Sequence, residues 1–111
     1  MTRVRPQQRR ALETIAIEHD GHRFKIGVGR EFADRRELGA PVEVFINAQK
    51  VNSLLDALAC DGAILMSLLL QHGCSAADIE RSMKRNSDGA PASVLGLAAS
   101  LLNQTAHPQG D

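Results

Sequence analysis

A chain of 111 residues with 43% hydrophobic and 23% charged side chains has the length and composition of one globular domain. Thirteen basic and thirteen acidic residues cancel, so no overall field draws the protein to polyanions; three Phe with no Trp or Tyr exclude a base-stacking platform. Two cysteines in no pairing pattern point to reduced thiols in a cytoplasm rather than to a disulfide framework.

Residues 1–10 hold Arg3, Arg5, Arg9 and Arg10, with no acid and no apolar run. They are expected to form a basic flexible arm, not a leader peptide. Solubility is the simplest use of such an arm, and contact with nucleic acid is the sharper alternative.

From Leu12 to Arg30 the pattern is a hairpin about Asp20-Gly21, a two-residue turn signal. Such a loop pairs residues whose numbers sum to 41. Ile17 then faces Phe24, Ile15 faces Ile26 and Glu13 faces Val28 on an apolar side, while Glu18 meets Arg23 on a polar one. Residues 31–40 are charged and form a connection with room for a helical turn. Residues 41–47, PVEVFIN, alternate as a third strand.

The longest element is a helix from Leu54 to about Gln71 or His72, capped by Asn52 or Ser53 and ended by Gly73. Leu54, Leu58, Leu65 and Leu69 form one apolar stripe; Leu55, Ala59, Ala63, Met66 and Leu70 form its neighbour. Asp56, Cys60, Ser67 and Gln71 form a polar edge. This girth predicts burial on more than one side, with Leu65 in a packed site and Ser67 toward water. Two stripes are more than three short strands can cover, so part is expected to lie under the last helix or a second copy. The longest run without formal charge, 62–77, contains Gln71, His72 and Gly73, and is too short and polar to span a bilayer.

Ser75 to Asp78 resembles a capping box opening a short helix to about Arg85 or Asn86. Pro91 suits the first turn of a last helix that carries residues 94–102, and 104–111 is a tail. The order β-β-β-α-α-α predicts an α+β fold: a three-stranded antiparallel sheet against a long central helix and two shorter ones, as a single domain over 11–103.

The chemistry on offer is thin. His19 and His22 flank the turn as two potential metal ligands, with Glu18 or Asp20 needed as helpers, so no metal site is expected. Cys60 and His72 stand some 18 Å apart along one helix and form no nucleophile–base pair. Asp56 and Asp61 diverge by some 140° around the helix axis and do not converge for acid–base work. Gly27 and Gly29 lack the strand-to-helix setting of a phosphate loop. No catalytic residue and no cofactor are expected.

The strand PVEVFIN over 41–47, the helix LDALACDGAILMSLLLQHG over 55–73, the segment 79–85 and DGAPASVLGLAASLL over 88–102 together resemble the TSCPD domain family. That family forms the C-terminal region of cobalamin-dependent ribonucleotide reductases and occurs as small free-standing bacterial proteins, which this chain resembles most. The Thr-Ser-Cys-Pro-Asp signature and a C-terminal Cys pair are absent from the sequence. Ribonucleotide reduction needs a radical cofactor, an active-site thiol and a reducing dithiol, so the resemblance implies ancestry and not activity. The expectation is a non-catalytic interaction module that forms a homodimer or docks on a larger protein, with no membrane contact. Phe45, Val42 and Val44 on the third strand are its expected contact residues, because that strand has only Glu43 to defend its edge.

Overall fold

The computed structural model describes residues 11–31 and 39–104. The arm with Arg3, Arg5, Arg9 and Arg10, residues 32–38 of the 31–40 connection with its expected turn, and residues 105–111 of the tail lie outside the described residues.

Three strands, β1 (Ala11–His19), β2 (His22–Arg30) and β3 (Pro41–Ala48), form an antiparallel meander in the order β1-β2-β3. The β1–β2 register is the one with residue numbers summing to 41, from His19–His22 to Ala11–Arg30. Asp20 and Gly21 both have positive φ, at 54° and 80°, as this tight turn demands. The β2–β3 ladder runs from Phe24–Ala48 to Gly29–Glu43 and shifts by one residue at Arg30, which pairs with Pro41.

Helix α1 (Leu54–Gln71) follows. Asn52 takes the left-handed conformation at φ 59° and Ser53 is the N-cap, its hydroxyl accepting from the Asp56 amide. At the other end Gly73, with φ 95°, lets the Cys74 amide donate to Leu69 O and the Gly73 amide to Leu70 O, a Schellman closure. Helix α2 (Ala76–Ser82) is capped by Ser75 and stops earlier than expected. Arg85 and Pro91 instead pair as an isolated bridge, and the Ala92 amide reaches Lys84 O, so 84–92 is a closed loop. Helix α3 (Val94–Leu102) therefore starts after the expected Pro91 turn, at the residue following Ser93, whose hydroxyl caps the Gly96 amide.

The core lies on one face of the sheet. Phe24, Ile26 and Val28 of β2 and Val44, Ile46 and Ala48 of β3 meet Ala59, Ala63 and Met66 of α1, with Ile79 of α2 and Val94, Ala98, Ala99 and Leu102 of α3 closing the end. Small residues set how closely the elements approach. A Cβ on Gly62 would stand 2.4 Å from a Leu95 methyl, so α1 and α3 touch where only glycine fits.

The expected rotation of α1 is corrected. Leu65 is 62% exposed, and Leu54, Leu58, Ile64 and Leu69 are exposed with it. The buried stripe is the neighbouring one, in which alanines at 59 and 63 bring the helix axis close to the sheet. Leucines there would hold the layers apart.

Arg30 closes the far end of the sheet with its side chain 3% exposed. Its Nε donates to Glu13 Oε1 at 2.7 Å, and its two terminal nitrogens donate to Gly39 O at 3.3 Å and Leu101 O at 3.2 Å. The last contact places a cation on the C-terminal carbonyls of α3, where the helix dipole favours one. One side chain thus ties both hairpin strands, the entry to β3 and the last helix together.

Candidate functional site

Helix α1 presents three different faces, and its sequence fixes what each can do. The first is the alanine face on the sheet.

The second is the polar stripe Asp56, Cys60, Ser67 and Gln71. It does not face water. Strand β3 is an edge strand, so alternate residues along it turn backbone groups away from β2. The stripe takes up these groups. Ala48 N donates to Asp56 Oδ1 at 2.9 Å, and the Cys60 thiol donates to Ile46 O at 3.2 Å. Val44 N donates to Ser67 Oγ at 2.8 Å, and the Gln71 amide donates to Val42 O at 3.0 Å. The single Ser67 proton lies within reach of Val44 O at 3.1 Å and Ala63 O at 2.9 Å.

The match is one of pitch. The fifteen helical steps from Asp56 to Gln71 rise about 22 Å, and the six strand steps from Val42 to Ala48 rise about 20 Å, so helix and strand stay in step while running antiparallel. The polar stripe is a substitute for a fourth strand. Replacing Ser67 by Ala should then cost about 1–3 kcal/mol, the penalty of stranding a buried backbone donor. Loss of hydrogen-exchange protection at the Val44 amide in this variant would be its specific signature.

Cys60 is held as a thiol. Burial raises its pKa most, and the Asp56 carboxylate adds by charge and hydrogen bonding; Asp61 adds by charge, and only Asn47 acts in the other direction. Its alkylation rate should therefore climb at a higher pH than that of an unstructured cysteine peptide. Titration of adduct by mass spectrometry checks this, and a rate curve at or below the peptide's would contradict it. A thiol kept protonated is a poor nucleophile and a poor metal ligand.

The third face of α1 points outward. Leu54, Leu58, Leu65 and Leu69 run along it with Ile64 beside them, and Asp61 is its one charge. These aliphatic side chains are 45–76% exposed, and Leu58 borders a cleft shared with α3. By length and composition α1 is also able to cross a bilayer, although here it lies along the sheet. A row of large exposed aliphatic side chains, broken midway only by Asp61, is the kind of surface that marks a contact site.

Comparison with family models, curated proteins and solved structures finds no match for this chain.

The residues expected to make contacts divide. Val44 is 2% exposed and belongs to the core, and Val42 is half-buried with its carbonyl taken by Gln71. The open β3 edge on which that expectation rested is occupied by α1. Phe45 is 47% exposed on the opposite sheet face, where its ring lies over Gly27, its cross-strand neighbour, at ordinary van der Waals distance. Part of its surface thus has a structural use, since it shields a strand glycine that has no side chain of its own.

His19 and His22 pair across the turn at the rim of an apolar cleft of about 290 Å³ that reaches Leu55, Leu58 and Leu95. The described residues contain no group of three or more His, Cys, Asp or Glu able to hold a metal ion. Asp61 is exposed on the leucine face while Asp56 makes the edge hydrogen bond, so the two carboxylates diverge as their spacing predicts.

Proposed function

We propose that this chain is a non-catalytic interaction module of the TSCPD kind, acting by self-association or by docking on a larger protein. The outward face of α1 is the observation that carries this reading. An aliphatic side chain taken from full exposure to burial contributes about 1.5–3 kcal/mol, so burying five already half-exposed ones on each side of a contact provides a drive comparable to the cost of association, estimated at about 4–15 kcal/mol. The chemistry of the rest of the molecule supports the same reading: the half-buried thiol is disfavoured as a nucleophile, and the polar stripe of α1 is committed to β3.

A dilution series by sedimentation equilibrium tests it. The expected result is a mass above one chain at tens of micromolar that falls toward one chain on dilution. One-chain mass throughout, with no heavier species when the protein is mixed with reductase subunits lacking this region, would contradict it.

A further inference from the structure

The occupant of the outer α1 face can be argued from the face itself, taking the interaction-module reading as given. Its four leucines sit at 54, 58, 65 and 69, so the row is symmetric about a point between Asp61 and Gly62. Reversed end for end, the row superposes on itself. In an antiparallel pair about a two-fold axis this places leucine against leucine along the whole row, with Ile64 to one side of it.

We propose that α1 packs against α1 of a second copy, antiparallel, about a two-fold axis between Asp61 and Gly62, with Leu54 opposite the partner's Leu69 and Leu58 opposite the partner's Leu65. The other candidate occupants fit less well. Residues 1–10 carry four arginines, and 105–111 read TAHPQGD; neither segment supplies a row of aliphatic side chains. A bilayer surface attracts helices edged with Lys or Arg, and α1 contains neither.

Size sets the strength of the pairing. Eighteen residues span about 27 Å, and a face about 10 Å wide gives a footprint of about 300 Å² per copy. A standard stable interface takes about 800 Å² per partner, so the pair is reversible and concentration-dependent, in the class of weak contacts. Asp61 weakens it further. Near the axis the two Asp61 carboxylates approach each other, and like charges repel.

Sedimentation equilibrium on variants, with folding checked by circular dichroism, tests the arrangement, together with oxidative cross-linking of single-cysteine substitutions. The wild-type protein should show two-chain mass at tens of micromolar, and Leu65→Glu should reduce it to one chain while remaining folded. Asp61→Asn should tighten the dimer by several-fold or more. Asp61→Cys should cross-link to its copy above the wild-type background, whereas Leu54→Cys, about 22 Å from its symmetry mate, should not.

Two-chain mass that survives Leu65→Glu overturns the α1 pairing and leaves self-association standing on another surface. Self-cross-linking at position 54 overturns the antiparallel orientation. A wild-type monomer at these concentrations overturns the pairing; if that monomer sediments with phosphatidylcholine vesicles, the face serves a bilayer instead.

Discussion

Arg30→Ala is expected to destabilise the fold by roughly 2–4 kcal/mol, while Arg81→Ala, on the surface of α2, stays within about 0.5 kcal/mol. Both side chains make ion pairs, Arg30 with Glu13 and Arg81 with Asp78, so pairing alone does not separate them. Burial does. Loss of Arg30 takes the guanidinium donor from Gly39 O and from Leu101 O, the latter keeping the Gln104 amide, and breaks the hydrogen bond that joins β2 to the end of α3 beside the core contacts. Its Glu13 partner has a side chain 43% exposed and regains water, which keeps the cost below that of a fully buried pair. Arg81 and Asp78 are both well exposed, and water replaces what they lose. Urea unfolding of the two variants measures the difference. Equal midpoints would mean that Arg30 contributes no more than a surface charge.

Adjacent residues of α1 should respond in opposite ways. Met66→Ala is expected to cost about 2–5 kcal/mol, because its side chain fills the space between α1 and the sheet with 3% of its surface exposed. Leu65→Ala should change monomer stability by no more than about 0.5 kcal/mol, as exposed positions do. The comparison belongs at protein concentrations where the chain is monomeric. At higher concentration the Leu65 variant should lose ground to the wild type, since pairing stabilises only the folded state. A large loss for Leu65→Ala in the dilute monomer would mean that α1 is turned about its axis relative to the structure.

These two positions also show how far the sequence could be read. The hairpin register followed from residue arithmetic, because a one-residue slip would mix both faces and the Asp20-Gly21 turn admits only one pairing. The elements and their order were legible for the same reason: period and punctuation are local. The rotation of α1 was not. Its two apolar stripes lie side by side, and hydrophobicity favours the leucines for the core. What decides is non-local: β3 turns a row of backbone groups outward, and only the side of α1 with Asp56, Cys60, Ser67 and Gln71 can satisfy them.

A polar stripe in step with an edge strand looks, in sequence, like a stripe in water. The same oversight made Val42 and Val44 look available for contact. The Arg30–Glu13 link was within reach of the register, since Glu13 faces Val28 and Arg30 lies diagonally two residues on, on the same side of the sheet. Its bonds to Gly39 and Leu101 depend on chain packing that no local pattern encodes.

The contact proposed on the leucine face of α1 is open to methyl NMR across a concentration series. With leucine and isoleucine methyls labelled, the signals of Leu54, Leu58, Ile64, Leu65 and Leu69 should shift together as concentration rises, while Ile15 on β1 and the core methyls of Ile26 and Ile46 stay in place. Shifts confined to Ile15, or methyl signals that do not change between dilute and concentrated protein, would contradict the account.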